Sequence, residues 1–209
     1  GVSLPKYLTA IPDSAFEDCT ALKNVMGYGI MEIGENAFKG CTELDTFSID
    51  QYVTVLGKNA FQDVPEITVT AANESVAESA ITSGAKRITI NLSALDTPID
   101  NTKIEVSDAT EYFALIGNGS VYTNVQIESD AEETFISNMN FEGNTDTPLK
   151  LHSEIVTLSR VTVKGCPGFA LILPAEQTTL NLYGTIELAS LGDSAVISKS
   201  VLLQKANAE

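Results

Sequence analysis

One twelve-residue stretch, Ile33-Gly34-Glu35-Asn36-Ala37-Phe38-Lys39-Gly40-Cys41-Thr42-Glu43-Leu44, has a counterpart on either side of it. The earlier copy is Ile11-Pro12-Asp13-Ser14-Ala15-Phe16-Glu17-Asp18-Cys19-Thr20-Ala21-Leu22, and the later is Leu56-Gly57-Lys58-Asn59-Ala60-Phe61-Gln62-Asp63-Val64-Pro65-Glu66-Ile67. Phe16, Phe38 and Phe61 stand 22 and then 23 residues apart. A fixed period of that size marks a stacked solenoid, in which one turn cannot bury its apolar side alone and neighbours do it for one another. The three phenylalanines are therefore expected to lie in register inside a common interior.

Within each copy the Ala-Phe pair belongs to a returning limb, where Ala permits close approach and Phe fills the space between turns. The polar pair ahead of it, Asp13-Ser14, Glu35-Asn36 or Lys58-Asn59, predicts a short helical turn with a capped N-terminus. Alternating apolar residues after each copy predict short strands at Leu22–Val25, Leu44–Ile49 and Ile67–Val69. The third copy departs from the pattern, with Asp63 for Gly and Val64-Pro65 for Cys-Thr, as suits a last turn. Residues 73–81 then carry small and apolar residues at helical spacing, with Asn73 or Ser75 as the cap and Ser83-Gly84 as the stop. A strand is expected over 87–92. The polar, Pro-interrupted stretch 93–101 reads as a linker.

A second period begins near residue 102. Val125, Leu149, Leu171 and Val196 open short apolar runs 24, 22 and 25 residues apart. Ile136–Gly143 aligns with Leu158–Gly165 at an offset of 22, and Leu180–Leu188 is a looser third copy. Stacking of such units predicts interior ladders: Ile136, Leu158 and Leu182 in one, and Phe141, Val163 and Ile186 in another. Gly143, Gly165 and Gly192 would turn corners that need unusual backbone angles. A parallel β-helix accounts for units that recur as units. A β-sandwich, whose strands also recur at short spacing, is the rival.

The motif Ile-Gly-x-Asn-Ala-Phe-x-Gly-Cys-x-x-Leu resembles the BspA-like class of bacterial leucine-rich repeats, over about residues 4–92. That resemblance implies a leucine-rich-repeat solenoid closed by a short helix. It also implies a secreted or surface-attached bacterial protein used in adhesion and in host or matrix contact. The second half resembles, in pattern alone, the β-helical domains of secreted bacterial carbohydrate-binding proteins and, more distantly, polysaccharide lyases. The expected fold is thus a mainly β repeat protein. A leucine-rich-repeat solenoid with short helical turns and a capping helix (residues 1–92) precedes a right-handed parallel β-helix (residues 93–209).

Charge narrows the partners. Lys and Arg number 12 against 28 Asp and Glu, a formal charge of −16, which disfavours nucleic acid and anionic membrane surfaces alike. No apolar run approaches the length of a membrane-spanning helix. The chain opens Gly1-Val2-Ser3 without Met, as expected of a mature or trimmed chain. Of three cysteines, Cys19 and Cys41 hold equivalent places in successive copies. They are expected as small buried apolar groups, with a Cys19–Cys41 disulfide as the alternative.

The search for chemistry finds candidates and no constellation. His152 is the only histidine, so a Ser/His/Asp set or a Cys166–His152 pair would have to use it. Arg160, on a strand with Glu142, Lys164 and Glu187, is the residue a lyase would need. Glu128-Ser129-Asp130-Ala131-Glu132-Glu133 is the densest acidic run and the candidate calcium ligand set. Tyr112, Tyr122 and Tyr183 are the candidate platforms for sugar rings. The expected function is non-enzymatic adhesion or ligand binding to an extracellular protein or polysaccharide, with no cofactor and no catalytic or metal residues assigned. The alternatives are a calcium-assisted lyase acting on acidic glycans and a structural spacer.

Overall fold

The computed structural model describes residues 1–143, 146–173, 178–190, 196–198 and 201–205. The fold is a mainly β parallel solenoid with very little helix. Every strand pairing among the described residues is parallel, whereas a β-sandwich is built of antiparallel sheets. The chain divides into two compact units, Gly1–Asp96 and Thr97–Glu209.

In the first unit each turn contributes short strands to two ladders. One ladder runs Ala10–Ile11, Glu32–Ile33, Val55–Leu56 and stacks Ile11 on Ile33 on Leu56. The other runs Phe47–Ile49, Glu66–Thr70, Arg87–Asn91 and stacks Phe47 on Ile67 on Ile88, and Ile49 on Val69 on Ile90. Val2–Ser3 pairs separately with Val25–Met26. The three motif phenylalanines do lie in one column. Phe16 and Phe38 stack with centroids 5.2 Å apart and planes 7° apart, and Phe38 and Phe61 stack at 5.3 Å and 12°. Phe47 wedges against Phe38 and Phe61 at 4.9 and 5.2 Å. Phe38 and Phe61 are fully buried, as are Ala37 and Ala60 beside them.

The returning limb is not the helical turn that the polar pair predicts. Ser14, Asn36 and Asn59 adopt left-handed backbone (φ 54°, 55° and 54°), and so do Asp18, Gly40 and Asp63 four residues on (57°, 75° and 66°). Asn, Asp, Ser and Gly are chosen here because they tolerate that region, rather than because they cap a helix. As a result the N–H groups alternate in direction. Those of Asn36, Phe38 and Gly40 donate to Lys58, Ala60 and Gln62 of the next turn. Those of Ala37, Lys39 and Cys41 close back on Gly34, Asn36 and Phe38. No i→i−4 bond can propagate through such a segment.

A helix does form at Glu74–Ile81. Asn73 is its N-cap, its side chain accepting from the Val76 N–H at 2.9 Å while its Nδ2 donates to the Thr54 carbonyl. Val76, Ala77 and Ala80 form the buried face.

In the second unit a sheet of short strands (Lys103–Val106, Gln126–Ser129, Leu149–Leu151, Leu171–Leu173, Val196–Ser198) alternates in sequence with longer ones. The longer strands are Tyr112–Ile116, Glu133–Glu142, Ile155–Cys166, Thr178–Ser190 and Val201–Lys205, with Val121–Thr123 beside the second half of Glu133–Glu142. Three long strands contain a left-handed residue at the equivalent place: Asn138 (φ 57°), Arg160 (51°) and Gly184 (66°). Such a residue bends the chain and turns a corner inside a hydrogen-bonded strand. Ile136, Leu158 and Leu182 pair in register as expected. Phe141 and Val163, however, continue into Leu188; Ile186 stacks on Met139 and Val161 instead. The strand Thr178–Ser190 carries one more residue at its corner than the strand Ile155–Cys166, and the register moves with it. Gly143 and Gly165 have positive φ (112° and 71°). Gly192 lies outside the described residues.

The core of the second unit is not wholly apolar. Ser129, Thr134, Ser153 and Thr178 are buried. Thr134 Oγ1 lies 2.7 Å from Ser129 Oγ and 2.8 Å from Ser153 Oγ, and Thr178 Oγ1 donates to the Ser153 carbonyl at 3.2 Å. The hydroxyls partner one another across turns, so none is buried at the cost of a lost hydrogen bond.

Candidate binding face

Within the first unit the chain turns between the two strands of each solenoid coil, and a tyrosine stands at each of those corners. Tyr7 lies between Val2–Ser3 and Ala10–Ile11, Tyr28 between Val25–Met26 and Glu32–Ile33, and Tyr52 between Phe47–Ile49 and Val55–Leu56. Their exposures are 88%, 84% and 62%, the three highest among the described large apolar side chains. Met26, Met31 and Val55 are also exposed in this stretch, so six of the nine large apolar side chains exposed among the described residues fall between Tyr7 and Val55. Single exposed apolar residues need no explanation, but their recurrence on three successive coils does.

The corners are held at sheet spacing by the main chain. The Met31 N–H donates to Thr9 O at 2.7 Å and the Thr54 N–H to Met31 O at 2.8 Å. The Tyr52 N–H is fixed by Asp50 Oδ1 at 2.9 Å. The main chain at Thr9, Met31 and Thr54, just after each tyrosine, is thus held at a spacing of about 5 Å from coil to coil. No ring contact joins the three tyrosines among the described residues; the recorded neighbour is Lys6, whose Nζ sits 5.8 Å from the Tyr7 centroid. Beside the row the ladder opens. Val25–Met26 and Phe47–Ile49 do not pair, and a cavity of about 290 Å³ lies between them, walled by Leu4, Ile11, Leu44 and Val53.

Each residue singled out from sequence has a defined place. His152 is exposed, with its Nδ1 2.5 Å from Asp130 Oδ1. Cys166 is buried, its Sγ directed at the Ala189 and Gly168 carbonyls at 3.6 and 3.9 Å, and burial pushes its thiol pKa up. An activated thiol needs the opposite shift. Arg160 is an exposed corner residue, its side chain lying across Gly184 of the next turn. Lys164 forms an ion pair with Glu187 at 3.0 Å, and Glu142 is in register with Lys164.

The acidic run does not converge. Ser129 and Ala131 are buried, which turns Glu128, Asp130 and Glu132 outward. Glu128 is taken by Lys103 at 2.9 Å and Asp130 by His152. No group of three or more His, Cys, Asp and Glu side chains suited to a metal ion occurs among the described residues. No described helix is long and apolar enough to cross a membrane.

Of the candidate platforms, Tyr122 is core: it is 1% exposed, and its hydroxyl accepts from the Asn118 N–H and donates to Asn118 Oδ1. Tyr112 is half-buried, and Tyr183 is 43% exposed. All three cysteines are free. Cys41 is buried and donates to the Phe16 carbonyl at 3.0 Å. Burial, with the Cys19 and Asp18 side chains nearby, pushes its pKa up to about 11. Cys19 is exposed, against expectation: Cys41 has a repeat copy on both sides and Cys19 on one only.

The row Tyr7, Tyr28, Tyr52 went unmarked in the sequence, yet a signal is there. One tyrosine precedes each of Ile11, Ile33 and Leu56 by four or five residues.

Residues 1–109 match the family model for the BspA type leucine rich repeat region (6 copies). No curated protein and no solved structure matches the chain. The family match spans more than half of the 209 residues and takes in the whole phenylalanine column and the corner tyrosines. The chain belongs to the BspA-type leucine-rich repeat family.

Proposed function

We propose that this protein is a non-enzymatic adhesion or ligand-binding protein, secreted or held at a bacterial cell surface, whose partner is an extended extracellular protein or polysaccharide. The family is commonly of the surface or adhesion type. The observation that carries the reading is the turn-by-turn recurrence of exposed apolar side chains from Tyr7 to Val55 on stacked coils. A solenoid face of that kind suits a partner that is itself long and repetitive. In this reading residues 1–92 are the leucine-rich-repeat part, closed by the helix Glu74–Ile81. Residues 93–209 are a right-handed parallel β-helix of the kind found in secreted carbohydrate-binding proteins. The groups that chemistry would need are engaged elsewhere: His152 with Asp130, Cys166 in the interior and Lys164 with Glu187.

The test is solid-phase binding of the purified protein to a panel of immobilised matrix proteins and polysaccharides, alongside antibody labelling of intact cells that express it. Saturable binding to at least one panel member, with labelling at the cell surface or release to the medium, is expected. Binding to none of them would sink the proposal.

A further inference from the structure

We propose that Cys19 and Cys41 form a thiol–disulfide site, at which a low-molecular-weight disulfide oxidises the pair to a covalent staple between two successive coils. Both are free thiols in this structure. Such a staple acts on the scaffold and needs no particular adhesion partner.

The two cysteines occupy the same turn, repeated. Each N–H donates to the carbonyl three residues back, that of Phe16 or of Phe38, at 3.1 Å. Each carbonyl accepts from the N–H three residues on, that of Leu22 at 2.9 Å or of Leu44 at 3.1 Å. With backbones so alike, the two Cβ atoms leave their coils in the same direction.

The coils are clamped on either side of the pair. The Asp18 N–H donates to Lys39 O at 2.7 Å, and the Asp45 N–H to Lys23 O at 2.8 Å. A Cβ added at Gly40 would lie 3.3 Å from Asp18 Cα, so the approach is close. Coils bonded in this way are about 5 Å apart. That falls inside the roughly 4.4–6.8 Å between Cα atoms that a disulfide spans. The Cβ atoms must close to about 3.8 Å. Cys19 is exposed, so no core packing holds its side chain against that shift.

The Cys41 sulfur is already turned toward the Cys19 backbone. The Phe16 carbonyl accepts from Cys41 Sγ at 3.0 Å and from the Cys19 N–H at 3.1 Å, so one acceptor holds both together. Packing alone does not call for a thiol at this place. Val64 fills it on the third coil and is fully buried. In the first unit thiols stand only where two of them meet on neighbouring coils.

Exposure decides the order of events. The Cys19 thiol loses its proton, and its sulfur attacks one sulfur of the disulfide R–S–S–R. One R–S⁻ leaves, and Cys19 carries the mixed disulfide. The Cys41 thiol then loses its proton, and its sulfur attacks Cys19 Sγ. The second R–S⁻ leaves, and the Cys19–Cys41 bond is formed. Two thiols have become one disulfide, and R–S–S–R has become two R–SH with the two protons released. Burial holds the Cys41 pKa up at about 11, so its thiolate is scarce and the closing step takes hours. The staple lies beside the Phe16–Ala37 and Asp18–Lys39 hydrogen bonds that join the same two coils, so these can no longer part freely.

The test uses the full chain, reduced, desalted and held native at low micromolar concentration with oxidised glutathione at pH 8. Intact mass should pass through a glutathione adduct and then settle roughly 2 Da below that of the reduced chain. Peptide mapping should join the Cys19 peptide to the Cys41 peptide and leave Cys166 free. In hydrogen exchange the Phe16 and Asp18 amides should be slowed at least about tenfold relative to the reduced chain. Cys166→Ala should behave as wild type. Cys19→Ser, which removes only an exposed thiol and so keeps the fold, should abolish both the link and the slowing.

Any one of four results overturns the proposal. The glutathione adduct on Cys19 persists with Cys41 still reduced. The product is a dimer joined through Cys19. The link forms in urea and not in the native chain. Or the link forms and the Phe16 and Asp18 amides exchange as before, which leaves a disulfide that staples nothing.

Discussion

Gly57 lies so close above Glu35 that a Cβ added at 57 would come within 2.3 Å of the Glu35 backbone nitrogen. Gly34 stands in the same relation to Asp13, with its added Cβ 2.5 Å from the Asp13 nitrogen. The obstacle is backbone in both cases, so no side chain can swing aside. Gly57→Ala and Gly34→Ala are each expected to force the coils apart at a cost of about 1–3 kcal/mol. Gly29→Ala meets no atom within 4 Å but has φ 73°, and conformational strain alone should cost about 1 kcal/mol. Urea denaturation midpoints of the three variants check the ordering.

Burial along the phenylalanine column sets a second expectation. Phe38 is fully buried between Phe16 and Phe61, whereas Phe16 is half-buried. Phe38→Ala should destabilise the first unit by about 3–5 kcal/mol. Phe16→Ala should cost on the order of 1–2 kcal/mol, because less area is returned to water. Equal losses in thermal denaturation would contradict the column as described.

The buried hydroxyls give a third. Thr134 Oγ1 lies between Ser129 Oγ and Ser153 Oγ. Thr134→Val keeps the volume but takes away the partner of two buried groups, and a loss of about 1–3 kcal/mol is expected. The double replacement Thr134→Val with Ser129→Ala should recover part of that loss. A double-mutant cycle measures the coupling.

Thiol chemistry gives a fourth. Cys19 is exposed and Cys41 and Cys166 are buried, with the Cys41 pKa pushed up to about 11. At pH 8 a maleimide or disulfide reagent should label one thiol in the native protein and three after denaturation. Intact-mass and peptide mass spectrometry should assign the first label to Cys19.

The Glu128–Lys103 pair sets the pH expectation. Hydrogen bonding to Lys103 holds the Glu128 carboxyl below its ordinary range, and hydrogen bonding to Glu105 and Glu128 holds Lys103 above its own. The carboxylate's contribution is present above the usual glutamate range and is lost as pH falls through the lowered value. The ammonium's contribution is complete below the usual lysine range and is lost as pH rises through the raised one. Glu128→Gln should therefore lower the denaturation midpoint at pH 7, and the gap from wild type should close toward pH 3. The effect is small for a pair so near the surface.

The fold was legible wherever one residue type recurs at one offset. Phe16, Phe38 and Phe61 declare their column, Ile136, Leu158 and Leu182 declare theirs, and Asn73 before an apolar helical pattern declares a capped helix. Sequence spacing puts Ile186 in the wrong ladder because the offset to the strand Thr178–Ser190 is 24 before the corner and 25 after it, where Val163–Ile186 is only 23, and spacing alone does not reveal where a bulge absorbs the extra residue. The returning limb reads as helical in sequence because Asn and Ser before a helix and Asn and Ser in left-handed turns look alike; the difference is φ, which tertiary hydrogen bonds impose. The corner tyrosines were hidden by uneven spacing, with Gly29 and Ile30 lengthening the middle approach by one residue. The buried hydroxyls of Ser129, Thr134, Ser153 and Thr178 come from successive segments at no common offset, so only their meeting in space identifies them.

On the returning limb every second N–H leaves its own coil for the next, as Phe16 does to Ala37 and Phe38 to Ala60. Those bonds lie along the stacking direction, so a load pulling the coils apart falls on them in line and not in shear. Each coil is held only by the two beside it. Under tension this part of the molecule should peel open coil by coil at modest force, paying out length while the coils beyond the break keep hold of whatever they have gripped.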